Sequence, residues 1–391
     1  MPSVNRIAEF HDDMKAWRRD LHAHPELAFA ERRTAATVAR LLEGFGIAVE
    51  TGIAETGVVG VLRAGTSDRA IALRADMDAL PLDERNGFDH RSTEPGRMHA
   101  CGHDGHTAML LGAARYLAET RNFDGTVVLV FQPAEEGGGG GRVMVEDERL
   151  FERFPVEAAF GLHNWPGMPV GTMAMRAGPM MAAADNFEIM VRGRGTHAAM
   201  PQLGADAVLA AAAIVQGLQA IAARNVHPQD AVVVSVTQIH GGEAWNILPE
   251  EVVLRGTCRT FRAEVQALAE ARIRAIAEAT AAAHEATVDV RYLKGYPPTV
   301  NSEAETDFAA AVAVDVVGAE NVDRAPMPCM GSEDFAYMLE ARPGCYVWLG
   351  NGPGDGGCLL HSPHYDFNDD ALAIGASYWV RLAETALAKP A

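Results

Sequence analysis

Apolar positions recur at helical spacing over residues 6–22 and 31–45, and His24-Pro25-Glu26 interrupts them, since proline removes a backbone donor and disfavours helix before it. Short β-rich apolar runs then alternate with helical ones: 58–62, 70–74, a helix over 104–119, 126–131, a helix around 140–149, and 158–162. That alternation predicts an α/β fold, a mostly parallel sheet flanked by helices. From about residue 185 the rhythm changes. Strand 186–192, helix 205–223, strands 231–239 and 251–258, helix 264–284 and strand 287–293 form a β-α-β-β-α-β set. Its natural packing is two helices over one face of a four-stranded sheet. After Pro297-Pro298 the alternating style returns, with helices near 303–317, 333–340 and 369–388. The expected organisation is a discontinuous α/β domain, 1–183 and 298–391, interrupted by an inserted α+β domain, 184–297.

A chain of 391 residues, 48% of them apolar, suits two domains and needs no disulfide or structural metal to hold its core. Any metal is therefore expected to be functional. Acidic residues outnumber basic ones 52 to 33, a formal charge of −19, which argues against a nucleic-acid or anionic-membrane partner. It leaves room for a small anionic substrate, because one or two local arginines outweigh a distant field. Five scattered cysteines do not form a disulfide framework. Met1-Pro2-Ser3-Val4-Asn5-Arg6 leads into Glu9, Asp12 and Asp13 with no apolar signal core. The most apolar window, 205–223, is broken by Asp206, Gln216 and Gln219 and reads as a packed helix rather than a membrane span. The expectation is a cytoplasmic protein with no membrane partner.

Candidate chemistry is concentrated in Met98-His99-Ala100-Cys101-Gly102-His103-Asp104-Gly105-His106, one thiol and three imidazoles where a helix opens. Such ligand density suits one or two metal ions, although Asp104 could simply cap the helix and His106 could orient a ligand instead of being one. Glu135-Glu136 follows the run 126–131; alone, such a pair reads as a solvated helix start. Asp76-Met77-Asp78 and His163-Asn164 likewise follow core strands. In open α/β sheets ligands gather at the carboxyl ends of strands, so three segments deliver Asp, Glu and His to one edge. One carboxylate of the pair can then bind metal while its neighbour takes a proton from water. His361 and His364 precede the last helix, and either could complete a site. Gly331-Ser332-Glu333-Asp334 reads as a helix cap with an acidic first turn. In the inserted domain, His197 sits in a strand-to-helix turn, with Asn246 and Arg259 as further polar candidates.

Together, His99-Ala100-Cys101-Gly102-His103-Asp104-Gly105-His106, Gln132-Pro133-Ala134-Glu135-Glu136-Gly137, Gly161-Leu162-His163 and Leu360-His361-Ser362-Pro363-His364-Tyr365-Asp366-Phe367 resemble the metallo-amidohydrolases. These include hippurate hydrolases, N-acyl-amino-acid amidohydrolases and plant auxin-conjugate hydrolases. Related motifs run from His22-Ala23-His24-Pro25-Glu26 past His364, essentially the whole chain. The resemblance implies a catalytic domain with two divalent metal ions and an inserted lid or dimerisation domain, hence a homodimer or higher homo-oligomer. It places metal ligands at Cys101, His103, Glu136, His163 and His361, and the general base at Glu135. Asp78 matches the aspartate that orients the site. Asp76 stands where the wider superfamily has a metal-binding histidine, so whether it or His106 touches metal stays open. His197 matches a lid histidine that reaches an active site, often that of the partner subunit, and Asn246 and Arg259 resemble residues that hold the substrate's α-carboxylate.

The implied reaction is hydrolysis of an N-acyl-amino acid by activated water, with Glu135 moving the proton. The donor set of thiolate, imidazole and carboxylate admits Zn, Mn, Co or Ni, and the resemblance points to Mn or Zn. A metallo-dipeptidase or carboxypeptidase would use the same site. A non-catalytic metal binder would have no use for a free base at Glu135.

Overall fold

The computed structural model describes residues 6–353 and 359–389; the first five residues, on which the reading of the amino terminus partly rests, lie outside them. In chain order the main strands are β1 (Ala48–Ile53), β2 (Gly57–Ala64), β3 (Ala70–Asp76), β4 (Gly125–Gln132), β5 (Ala158–Trp165), β6 (Met173–Ala174), β7 (Ala183–Arg192), β8 (Val232–His240), β9 (Glu251–Thr260), β10 (Thr287–Tyr296), β11 (Val322–Asp323) and β12 (Gly344–Gly350). The main helices are α1 (His11–Ala23), α2 (Arg32–Gly44), α3 (His103–Thr120), α4 (Ala207–Leu218), α5 (Ala263–Ala283), α6 (Glu303–Val317) and α7 (Leu372–Ala386).

Two compact units result. The first comprises Met1–Gly178, Val300–Met327 and Asp334–Ala391; the second comprises Pro179–Thr299 and Pro328–Glu333. An eight-stranded sheet, ordered β1-β2-β4-β3-β5-β12-β6-β11, forms the first unit. Its centre is parallel: β4 with β3, β3 with β5, and β5 with β12. Strand β3 is buried along its whole length and so is β12, which is why both read as near-continuous apolar runs. Helix α3 packs on α1 and α7 over one face and is itself almost wholly buried. The expected helix around 140–149 is present as a short α-helical turn, Gly140–Arg142, that continues into a π-helical turn, Val143–Asp147. The glycine run before it has a steric reason: a Cβ on Gly140 would stand 1.8 Å from the Pro133 carbonyl oxygen.

The second unit is an antiparallel sheet ordered β8-β9-β7-β10. Strands β7 and β9 alternate buried and more exposed residues, the signature of a sheet with one face covered. Helices α4 and α5 supply that cover, with Ile214, Leu218, Ala269 and Ile273 set against Phe187, Ile189 and Leu254. Gly256 is required here, because a Cβ would meet the Phe187 ring at 2.3 Å. The helix expected over 205–223 stops at Leu218 and passes into a wide turn, Ile221–Asn225. One described stretch, Ala207–Asn225, is long and apolar enough to cross a membrane by composition, yet Ala207, Ala210, Ala211, Ile214, Leu218 and Ile221 are core residues.

A buried ionic cluster ties α1 to α3 in the first unit. His22 Nδ1 lies 2.9 Å from Asp104 and its Nε2 lies 3.2 Å from Glu84, while Arg18 reaches Asp366 at 2.7 Å and Asp369 at 2.8 Å. Burial disfavours charge on His22, but Asp104 and Glu84 outweigh it and lift its pKa to about 9. The folded state thus holds a proton that the unfolded chain releases near its ordinary value. The resulting stability is complete below that ordinary value, disappears as pH rises through 9, and amounts to at most about 3 kcal/mol. Melting curves from pH 6 to 9.5 should show a decline in the wild type and a flatter profile in His22→Gln. Parallel profiles would refute the assignment.

Candidate active site

The parallel strands β3, β4, β5 and β12 end at one edge, and their last residues and the segments that follow carry the candidates; Asp76 closes β3, and His163 and Asn164 lie within β5 rather than after it. Gly102 makes the approach possible. Its φ is +88°, and a Cβ there would collide with Asn164 Nδ2 at 2.3 Å and the Tyr365 hydroxyl at 2.4 Å. The chain therefore enters α3 pressed against β5, with Cys101 and His103 buried at the sheet edge.

Asp78 is the organiser. Its Oδ1 accepts from the Glu135 amide at 3.0 Å and its Oδ2 from the Glu136 amide at 2.8 Å, while His103 Nδ1 lies 3.3 Å from Oδ1. The carboxylate can only accept, so His103 carries its proton on Nδ1 and presents a bare Nε2, which has no hydrogen-bond partner among the described residues. His163 is set the same way. Its Nδ1 lies 2.6 Å from the Asn164 carbonyl, an acceptor, leaving Nε2 bare at 3.4 Å from Cys101 Sγ. Fixing one ring nitrogen so that the other is free is how proteins prepare a histidine for metal. Glu136 Oε1 stands 3.1 Å from His361 Nε2 without hydrogen-bond alignment. His361 adopts φ +64°, and its amide donates to the Ala100 carbonyl at 2.8 Å.

Two donor groups follow, each with ligand atoms within 4.8 Å of one another: Cys101, His103 and His163, and Cys101, Glu136 and His361. They share the thiol. A third group adds Glu135 to His103 and Glu136. Burial, then Glu136, Glu135 and Asp76, push the Cys101 pKa well up, so a thiolate there needs a cation. Burial opposes charge on His103 too, yet Asp76, Asp78 and Glu136 lift its pKa to about 10, so without a cation Nε2 would hold a second proton, whose place a metal ion would take. The pocket demands positive charge, and these donors fit divalent metal ions.

Asp76, His103 and His106 also cluster, but hydrogen bonding accounts for two of them. The Asn164 amide donates to His106 Nε2 at 2.9 Å, so His106 carries its proton on Nδ1, 2.6 Å from Asp76 Oδ1. His106 has no nitrogen left for a metal. Arg74, fully buried, donates to Asp76 Oδ2 at 2.7 Å, to Gln132 at 2.9 Å and to Asp334 at 3.2 Å. A continuous chain of bonds thus runs from Arg74 through Asp76, His106 and Asn164 to His163. Tyr365 secures it by donating to Asn164 Oδ1 at 2.7 Å.

Sequence reasoning did not single out Arg74, Asn164, Tyr365 or Glu31. Glu31 accepts from the Ala134 amide at 2.8 Å and from the Thr56 hydroxyl, and so holds the bend before Glu135. A charged residue inside the apolar run 70–74 was the available signal for Arg74; Glu31 had none. The alternative in which Asp104 caps α3 falls, since it faces His22. One expectation needs correction. Asp334 does not open a helix, which begins at Ala336; it is buried, accepting from Gln132 Nε2 at 2.6 Å and the Gly141 amide at 2.7 Å. His99 is buried with neither nitrogen partnered among the described residues, and burial lowers its pKa to about 3. Neither His99 nor the exposed His364 joins a donor group among the described residues.

In the second unit, His197 and Asn246 are exposed neighbours on a short ribbon: Ile247 pairs with His197, and the Ala198 amide donates to the Asn246 carbonyl at 2.9 Å. Arg259 donates to Ser332 at 3.2 Å.

The model of peptidase family M20/M25/M40 matches residues 72–385. The chain belongs to that family. The hippurate hydrolase of Campylobacter jejuni is 40% identical over 98% of this chain and 99% of its own length. The N-acetyl-L-cysteine deacetylase of Bacillus subtilis is 40% identical over 93% and 85%. Among solved structures, the YxeP protein of Bacillus subtilis, described as a dinuclear metal-binding peptidase of the M20 family, superposes with a TM-score of 0.85 at 35% identity, covering 97% of this chain and 99% of that one. This M20 protein is accordingly a metal-dependent amidohydrolase with the family's mixed α/β fold.

Proposed function

We propose that the protein hydrolyses N-acyl-amino acids to a carboxylic acid and a free amino acid, with two divalent cations held by Cys101, His103, His163, Glu136 and His361. The observation that carries the reading is the pair of donor groups meeting at Cys101 with a second carboxylate, Glu135, beside them. Bound there, the cations would polarise the amide carbonyl and acidify the attacking water. Mn or Zn suits the mixed donor set, with Co and Ni as alternatives. Glu135 takes the water's proton and returns it to the leaving amine. Asp78 keeps both glutamates and His103 in place. His197 donates to the oxyanion, and Asn246 and Arg259 hold the α-carboxylate.

Residues 184–297 serve as the lid and dimerisation domain. Support comes from edge strand β8 with Ile239 59% exposed and from Val208 and Leu209 of α4, 47% and 56% exposed, an apolar surface suited to an isologous contact. The described cysteines are all free thiols, which accords with a cytoplasmic location. A turnover screen of N-benzoyl, N-acetyl and indole-acetyl amino acids and of dipeptides, with Mn, Zn and Co, tests the reading. Turnover of dipeptides alone would replace it with a dipeptidase.

His197→Ala is expected to lose roughly 10²-fold in kcat, as for a lost oxyanion donor. If His197 serves the partner subunit, mixing this variant with Glu135→Gln under subunit exchange should restore about a quarter of wild-type activity, since half the dimers are mixed and one of their two sites is whole. No recovery, with mixed dimers verified by native mass spectrometry, would place His197 in its own subunit's reaction or in none.

A further inference from the structure

A groove of about 410 Å³ in the first unit is lined by Trp165, Trp348, Met168, Met173 and Met327, with Glu320 and Asp323 also on its wall. It adjoins the donor site. Trp348 lies directly opposite His163 in the β5–β12 pairing and Trp165 is two residues on, so all three share one face of the sheet. The Trp165 ring stands 6.2 Å from that of His163 and stacks on Trp348 at 3.9 Å, 13° from parallel. Trp348 is 4% exposed, and its Nε1 has no acceptor among the described residues. Met327 is the opposite, an apolar side chain 87% exposed.

We propose that this groove receives the uncharged, preferably aromatic acyl group of the substrate and sets acyl preference. The proposal rests on the N-acyl-amino-acid reading above. Charge decides which half of the substrate enters. No basic residue is among the described residues that line the groove, and Glu320 and Asp323 repel a carboxylate, so the amino-acid half is excluded. The wall favours a flat ring, because an indole face stacks on it and thioether side chains adapt to its edge.

The test compares kcat/KM for N-benzoylglycine, N-acetylglycine and N-succinylglycine in the wild type, Met327→Ala and Glu320→Arg. Both positions are exposed, so folding is not at stake. Met327→Ala should lower the benzoyl-to-acetyl ratio about tenfold and raise the Ki of benzoate as a competitive inhibitor. Glu320→Arg should raise the succinyl-to-acetyl ratio about tenfold. Ratios within twofold of wild type in both variants, in an enzyme that turns over the substrates, would overturn the groove assignment alone. A wild type inert toward all three with Mn, Zn and Co would overturn the amidohydrolase reading and this assignment with it.

Discussion

Glu135→Gln is expected to retain its metal ions and lose turnover by on the order of 10²–10⁴-fold, the range for a removed general base. Glu136→Gln is expected to lose metal first and activity as a consequence. The two substitutions are nearly isosteric, and Asp78 grips the backbone amides of both residues rather than their side chains, at 3.0 and 2.8 Å, so neither should displace the segment. The contrast rests on partners. Glu136 shares a donor group with Cys101 and His361, whereas Glu135 enters only beside His103 and Glu136 among the residues proposed as ligands. Its Oε1 also lies 3.4 Å from the Asp334 amide, which limits its swing. Metal content by elemental analysis, set beside kcat and KM, separates the two. Metal lost from Glu135→Gln and kept by Glu136→Gln would exchange the roles.

The parallel sheet and its active edge were legible because β3, β4 and β5 each carry an apolar run and close on polar residues, Asp76, Gln132 and His163-Asn164. Period and punctuation sufficed there. The second unit was legible for a different reason: β7 and β9 alternate, and the helices between strands are long enough to show a stripe. Helix ends were less legible. Residues 219–225 keep an apolar helical pattern, yet the chain widens into another turn type that periodicity does not distinguish. Ser332-Glu333-Asp334 looked like a cap because local sequence cannot show that Asp334 is needed by Arg74, 260 residues away.

The same limit hid the bonds that orient the donors. Cys101, His103, Glu136 and His163 announced themselves by residue type. What braces the segments around them is held by residues with no distinctive spacing. Asn164 is 58 residues from His106, Tyr365 is 201 from Asn164, and Glu31 is 103 from Ala134. Such pairings exist only once the sheet and its helices are assembled. Type and spacing locate the candidate donors; the assembled fold decides what supports them.

Cys101→Ala is expected to have the second of the two largest effects. The thiol belongs to both donor groups, so its removal should weaken both cation positions together and not one alone. Losing a Lewis acid worth several kcal/mol corresponds to a turnover loss on the order of 10³-fold or more. Stability should respond differently. The first unit's core runs from Phe10 and Leu42 through Leu73, Leu129 and Val347 to Trp379 without involving the thiol. Cys101→Ala and chelated wild type should therefore both keep a cooperative melt while losing activity. Burial and the carboxylates around Cys101 hold its pKa well up, so chelation leaves a protonated, weakly nucleophilic thiol. Thiol labelling of the folded chelated protein should then be slow at pH 7 and accelerate as pH rises. Full metal content in Cys101→Ala, with near-normal turnover, would remove the thiol from the ligand set and leave His163 without its neighbour in the site.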